Sequence, residues 1–420
     1  MRYAGTAGSG VQMPLPVATE TKCLWIARYI PYPMDAGAKV YSAKLAEALS
    51  ASGVTVRFLG IGKADAIPEC SAHVEWVPVK NGKRSEFVAL FSTLPNAASV
   101  DATEAYATVL EKQLRENWDA IVFDGYGPGW ALKRCVEYRN RRGAGRTLLV
   151  HVSHNHEEKL WSSMAREARG SPLKRLALWQ NYGKVRALER SMIREVDLLT
   201  TITDEDRESL GAGLDEASTL TLTPGYAGWI AGERRIDADT PRRVVLIGSF
   251  SWVVKQDNLA RFIELADPSF KANGIELDVV GDVPKELLAR LKVRCRATQF
   301  HGFVKDVAPL FAKARIAVVP EAIGGGFKLK FLDYFFGRIP VATLTQAAAG
   351  LPKELRDQTV ARETMPMLIE AIVSYIDQVE ALNLIQEQAF VHSRAEFRWE
   401  DRGLKLKQAI TRSGNGSSCG

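Results

Sequence analysis

Short runs rich in Val, Ile, Leu and Thr alternate with helix-period runs along nearly the whole chain, and nothing else in the sequence constrains the fold as strongly. Runs at 22–27, 55–59, 74–78, 120–123, 147–152, 197–202 and 220–224 read as strands. The clearest helix between them, 38–52, puts Tyr41, Leu45 and Leu49 on one face and stops at Gly53. Repeated strand, helix, strand units build an open, mostly parallel sheet with helices on both faces. At 224–243 the pattern breaks into Pro, Gly and opposite charges without periodicity, which reads as a linker. The alternation then restarts, with strands at 244–249, 275–281, 298–300, 316–320 and 339–343 and helices between and after them. The expected class is α/β, with two such sheets.

A length of 420 residues with 46% apolar and 25% charged content suits two globular domains and excludes a disordered or fibrous chain. No apolar run approaches the roughly 18–20 residues of a spanning helix, and the first 21 residues lack a charged start and an apolar core, so a cytoplasmic protein is expected. The five cysteines, Cys23, Cys70, Cys135, Cys295 and Cys419, are scattered and form no C-x-x-C pair, which argues for reduced thiols over a disulfide framework or a thiolate zinc site. A net charge of +6 suits phosphate-bearing ligands or an anionic membrane surface and falls short of a nucleic-acid binder.

Two α/β units joined by one linker leave a cleft, and in such sheets ligands sit at the carboxyl ends of the strands. The sharpest segment is 320–340, where a buried-type strand runs into Gly324, Gly325 and Gly326 and then a helix bearing Lys328, Lys330 and Asp333. Glycines before a helix let backbone N–H groups approach a phosphate, and lysines in the first turn add charge. Asp333, one turn deeper, can accept hydrogen bonds from a ribose diol. A glycine-rich loop with a solvated, lysine-bearing helix face is the competing reading.

This segment resembles the signature of the retaining glycosyltransferases of family 4, which have the GT-B fold, in the variant with two glycines, two lysines and a closing acid. Asp333 stands for the closing Glu, and Gly325 stands where the fuller motif has its first acid. The resemblance extends over roughly 22–410 and implies two Rossmann-like domains. After a flexible start (1–21) come an acceptor-binding domain at 22–223, the linker at 224–243, a nucleotide-sugar-binding domain at 244–395, a helix at 396–412 crossing back to the first domain, and a flexible tail at 413–420. By resemblance, Gly37 lies in the first glycine loop; Gly248, Ser249 and Lys255 open the donor domain; Gly281 follows its second strand; Gly302 and Phe303 form the base-binding turn. The family often has Gly-Arg and then Lys at the donor opening; here Ser249 follows Gly248, so Lys328 or Lys330 is expected to supply the charge that accompanies Lys255. The implied activity is transfer of a sugar from a nucleotide diphosphate sugar to a glycan, lipid-linked or small-molecule acceptor. Retention of configuration, no metal or other cofactor, a role in cell-surface polysaccharide or glycoconjugate synthesis, and catalytic parts for His154, Lys255 and Lys328 are implied with it.

His151, His154 and His156, backed by Glu157 and Glu158, superficially suggest a metal cluster, yet no further His or Asp ligands follow at dinuclear spacing, and no metal is expected. Strand alternation predicts that His154 and His156 share a face, with His154 in the cleft; a histidine packed in its own loop is the alternative. Asp124 follows a strand and reads either as the base of an inverting mechanism or as an acid that holds its own turn. Two basic stretches remain, 133–146 and 173–194, the second interleaving Leu176, Trp179 and Leu188 with Lys174, Arg175, Lys184, Arg186 and Arg190. They suit either an anionic bilayer or ordinary helices with solvated faces. The rival functions are an inverting transferase using Asp124 or His154 and a catalytically silent nucleotide-sugar-binding protein.

Overall fold

A computed structural model describes residues 20–69, 73–80, 91–143, 147–167, 171–251, 253–322 and 326–415. Seven strands form the first sheet: β1 (Lys22–Tyr29), β2 (Thr55–Ile61), β3 (Glu75–Val79), β4 (Ala120–Asp124), β5 (Leu148–Val152), β6 (Leu198–Thr201) and β7 (Thr219–Thr221). Six form the second: β8 (Arg243–Ile247), β9 (Glu276–Val280), β10 (Thr298–Gly302), β11 (Ile316–Val319), β12 (Val341–Leu344) and β13 (Thr359–Arg362). The spatial orders are β3-β2-β1-β4-β5-β6-β7 and β10-β9-β8-β11-β12-β13, and every pair is parallel. Central strands such as β4 and β11 are buried along their whole length because helices cover both faces, which is why they read as continuous apolar runs.

Strand order reverses between β1 and β4 in the first sheet and between β8 and β11 in the second. At such switch points the crossover helices leave in opposite directions and open a crevice beyond the strand ends. The helices that line or brace the crevice are α1 (Gly37–Ala51), α2 (Glu157–Glu167), α3 (Pro172–Glu195), α4 (Asp204–Leu210), α5 (Val253–Ala272), α6 (Lys330–Phe336) and α7 (Trp399–Asn415). Local chemistry sets their starts: the Ser171 hydroxyl accepts from Lys174 N–H to open α3, and the Thr203 hydroxyl accepts from Asp206 N–H to open α4.

One apolar layer of the first sheet, around Trp25, Phe58 and Tyr41, is completed by Trp399, Leu406 and Ile410 of α7. A Cβ on Gly403 would lie 2.2 Å from the Ala48 carbonyl oxygen, so α7 can approach α1 this closely only with glycine there. The Lys407 ammonium donates to the Ser52 carbonyl at 2.6 Å, closing the C-terminal end of α1.

Several expectations change. Strand β13 and helix α2 have no counterpart in the sequence reading, and the helix expected from Lys328 begins at Lys330. Residues 413–415, expected in a loose tail, continue α7; residues 1–19 and 416–420 lie outside the described residues. The 224–243 segment is irregular, as its composition implies, yet it is packed on the second unit. Ala231 N–H donates to Phe336 O at 2.9 Å, and Arg234 donates to Arg338 O at 2.8 Å and to Gln386 Oε1 at 2.7 Å. Cys23, Cys135 and Cys295 are free thiols, and burial pushes all three above the usual thiol range; Cys70 and Cys419 lie outside the described residues. Among the described residues no helix is long and apolar enough to cross a membrane.

Candidate active site

Three glycines meet where β8, β9 and β10 end. Gly281 N–H donates to Gly302 O at 2.7 Å, Gly248 N–H donates to Val280 O at 3.0 Å, and a Cβ on Gly281 would lie 1.8 Å from Gly248 O. Gly281 and Gly302 have φ of 124° and 67°, values that L side chains resist. The result is a floor of bare backbone. Phe303 beside it is 75% exposed, an aromatic surface free to receive a base.

Charge gathers directly above this floor. The partly buried Lys330 ammonium donates to the buried Glu321 Oε1 at 2.6 Å and lies 3.3 Å from where a Gly248 Cβ would stand. Lys328 donates to Gly326 O at 3.1 Å, while Lys255 projects from the start of α5. Burial pulls Lys255 and Lys328 below the ordinary lysine range, and neighbouring ammonium groups add to this while Glu321 resists it. Burial works to raise the Glu321 carboxyl, but Lys330, Lys328 and Lys255 hold it below its usual value. Three ammonium groups thus gather around Glu321, with Asp206 also acting on Lys328 and Lys330 also acting on Asp333, beside exposed backbone. Glu321 was not anticipated; its only signal was an acid placed directly after the apolar run that ends β11. Lys328 and Lys330 do accompany Lys255, as expected, although each already holds an internal acceptor.

Asp333 sits one turn into α6 with Tyr226 Oη 3.2 Å from its Oδ1. Burial pushes its carboxyl up to about 6, against the Tyr226 hydrogen bond and the Lys330 charge. Ser249, with its hydroxyl 3.3 Å from that of Ser251, stays exposed at the end of β8. Gly324 and Gly325 lie outside the described residues. Gly326 has φ of 72°, and a Cβ there would lie 2.4 Å from Asn155 Oδ1 of the first unit. Gly37 is equally close-set: its Cβ would stand 3.1 Å from Leu329 Cδ1. Glycine at both positions lets the two units touch around the lysine turn.

The opposite wall is built from the first sheet. His154 Nε2 lies 2.5 Å from Asp124 Oδ1, and Trp25 Nε1 donates to Asp124 Oδ2 at 2.9 Å. Tyr41 meets the imidazole edge-on at 5.4 Å. Burial pulls the His154 pKa down, but the Asp124 charge and hydrogen bond outweigh it and hold the value above the ordinary one. Asp124 therefore lies behind His154, with its side chain only 2% exposed. Of the two readings of Asp124, a base or an acid that holds its own turn, the structure shows a buried carboxylate engaged by His154 and Trp25.

His154 and His156 do not share a face, since the pleat ends with β5 at Val152 and both lie in the turn before α2. His156 Nδ1 turns instead to Ser209 Oγ at 2.8 Å. His151 is buried under the sheet, where burial lowers its pKa to about 4. His156, Glu158 and Glu189 bring ligand-type atoms within 4.8 Å of one another, but these atoms are already engaged. Glu189 caps α2 by accepting from the N–H groups of Glu157 and Glu158 at 2.9 and 2.8 Å, and Glu158 pairs with Arg186 and Arg190. Mutual repulsion and burial push Glu189 up to about 7, burial being the larger cause.

Between the walls lies a cavity of about 1480 Å³ that reaches Gly326 and Ala322 at one end. Its first-unit side carries Lys159, Arg166, Lys174 and Arg175 with Leu160 and Met164; its second-unit side carries Val253, Val254 and Arg261 of α5. At the lip, Leu173, Leu176 and Trp179 are 79%, 67% and 42% exposed. Of the other basic stretch, Arg139 is bound to Glu195 O and Asp197, and Arg142 to Asn117 and Tyr138, so both brace the sheet.

Two family models match. That described as "Glycosyl transferase 4-like domain" covers residues 36–225, and that described as "Glycosyl transferases group 1" covers 241–378. No curated protein matches the chain. Among solved structures, WaaG, a glycosyltransferase involved in lipopolysaccharide biosynthesis, is 18% identical with a TM-score of 0.61, covering 93% of this chain and 99% of its own. HepE of Anabaena, solved in complex with UDP and glucose, is 13% identical with a TM-score of 0.62, covering 94% and 100%. TarM is 9% identical with a TM-score of 0.66, covering 94% and 99%. At such identities the likeness speaks for the fold alone, two Rossmann-like units of the GT-B kind.

Proposed function

The chain belongs to the group 1 glycosyl transferases, whose two models together span most of its length, and from that premise we propose that it transfers a sugar from a nucleotide diphosphate sugar with retention of configuration. One observation carries the donor assignment: three ammonium groups gathered around Glu321 above a glycine floor at a strand-order switch point. A nucleotide diphosphate sugar brings two negative charges, and departure of the sugar adds a third. Preorganised cations stabilise that developing charge without needing to reorganise, which is where such sites gain rate. Lys255, Lys328 and Lys330 take this part. Asp333 receives the ribose diol, and Phe303 receives the base.

The acceptor occupies the large cavity, whose apolar groups stand among both basic side chains and the carboxylates of Glu205, Asp206, Asp257 and Glu264, a lining that suits a polar, partly apolar molecule such as a lipid-linked glycan. The exposed Leu173, Leu176 and Trp179 beside Lys174 and Arg175 suit shallow contact with an anionic membrane surface. In the retaining scheme the departing phosphate itself takes the acceptor proton, so the protein supplies position and charge. Activity should survive excess EDTA, and loss on chelation with recovery on added Mg²⁺ would overturn the cationic assignment.

The test is a hydrolysis screen across UDP-, GDP- and dTDP-sugars without acceptor. Slow turnover of one donor, removed by Lys255→Ala, supports the enzyme; tight binding without turnover of any donor supports the silent binder instead. The His154–Asp124 pair favours a second reading, an inverting enzyme with His154 as base, because a carboxylate behind an imidazole orients it and raises its basicity. The anomeric configuration of the first product, read by proton NMR, decides between them.

A further inference from the structure

The geometry points to Tyr226, in the segment joining the two sheets, as the positioning residue that holds Asp333 in its nucleotide-binding orientation and ionised state. This rests on the donor reading above and adds a part of the chain that no motif reaches. Three contacts fix the ring: its plane stacks on Phe336 at 4.2 Å and 11°, and its hydroxyl lies 3.0 Å from Trp229 O and 3.2 Å from Asp333 Oδ1. The backbone N–H of the same residue donates to Phe397 O at 3.0 Å. A Cβ on Gly228 would lie 2.4 Å from that hydroxyl, so glycine there is what admits it.

A phenol has one proton and two acceptors here, so the direction of the hydrogen bonds depends on Asp333. When Asp333 is ionised, the Tyr226 proton points to it, leaving Oδ2 free for a ribose hydroxyl. When Asp333 is protonated, it donates to the Tyr226 oxygen, the phenol donates to Trp229 O, and Oδ2 is left as a neutral carbonyl, a weaker acceptor for the nucleotide than a carboxylate oxygen. The other titratable groups facing Asp333 are Lys330, one turn earlier on α6, and Tyr334, whose hydroxyl accepts from Ile247 N–H at 2.8 Å and is thereby occupied. Burial drives the Asp333 carboxyl up to about 6, and Tyr226 and Lys330 keep it from rising further. The backbone N–H of Tyr226 is bonded to the Phe397 carbonyl just before α7, the helix that returns to the first unit, so the Asp333 contact and the chain crossing meet at one residue.

The test compares wild type with Tyr226→Phe, which keeps the stacked ring and removes only the hydroxyl. Aspartate-labelled protein is titrated by carbon-13 carboxyl NMR, with the Asp333 resonance assigned by its loss in Asp333→Asn, and UDP-glucose affinity is measured by calorimetry between about pH 5 and 8. Expected is an upward move of the Asp333 titration by about half to one pH unit in Tyr226→Phe. The acid limb of UDP-glucose binding should move with it, and KM should rise about 2- to 10-fold near neutral pH with kcat little changed. An unmoved Asp333 titration in Tyr226→Phe overturns the inference. If instead the titration moves but Asp333→Asn binds UDP-glucose as tightly as wild type at pH 8, the ribose reading of Asp333 fails while the Tyr226 pairing stands, so the two failures are told apart.

Discussion

The two walls of the cleft are built from the same strand order and the same kind of switch point, yet they are finished in opposite ways. On the second-unit wall, β8, β9 and β10 end in Gly248, Gly281 and Gly302, and three lysines gather above bare backbone. On the first-unit wall, β4 ends in Asp124, which is sealed behind His154 and Trp25, and the imidazole is packed against Tyr41. One wall offers clustered charge and open main chain; the other offers a single oriented ring whose partner is already in place. The position of a site is therefore given by the topology, while its residues follow the charge of what is held there. A diphosphate needs several donors spread over a surface, whereas a sugar hydroxyl needs one group aimed at one atom.

The largest test of this contrast is Lys255→Ala. Removing a preorganised cation from a developing charge costs on the order of 2.7–4 kcal/mol, or ~10²–10³ in rate, so kcat at saturating donor should fall by that factor in a normally folded protein. Retention of more than roughly a tenth of the rate would make Lys255 a bystander, since less than ~1.4 kcal/mol would be involved. Next in size, Asp333→Ala should weaken nucleotide binding by ~1–3 kcal/mol as a charged acceptor is lost; an unchanged calorimetric affinity would remove Asp333 from the wall.

Smaller is Gly326→Ala, where the left-handed backbone alone costs ~1–2 kcal/mol for an L residue and the new Cβ presses on Asn155 Oδ1. The melting temperature should drop, and part of the loss should return in the double variant with Asn155→Ala, a coupling that tests whether the two walls touch there. Smallest is a pH effect on the first wall. The His154 pKa is held above its ordinary 6.5, so the pair with Asp124 contributes stability that is fully present below 6.5 and is lost as pH rises through the raised value. Urea unfolding should therefore show a wider gap between wild type and His154→Gln near pH 5.5 than near pH 8.5, and equal gaps would mean that the imidazole carries no charge in the pair.

What the sequence made legible was mostly local. The strand runs and the irregular 224–243 segment are set by neighbours along the chain, and they stand close to where the sequence pattern placed them. Glu321, Tyr226 and the His154–Asp124 pair were hidden, because each takes its meaning from a partner that the sequence pattern does not place beside it. Glu321 is paired with Lys330 nine positions on, a spacing that the loop between them hides, and Tyr226 reaches across 107 positions to Asp333. Alternation misled at His156 for a related reason: it describes a pleat, and the pleat stops at Val152. β13 is only four residues long and half-buried, too short and too mixed for its pattern to stand out.

The seating of α7 on α1 has a consequence for how the chain is made. Trp399, Leu406 and Ile410 complete an apolar layer whose other members lie before residue 223. During synthesis the first half therefore leaves the ribosome with one face of its sheet uncovered. At ~5–20 residues per second, the missing helix follows only after roughly 10–40 s. That layer can close only once α7 has emerged and been seated, so the half that emerges first is completed by residues that emerge last.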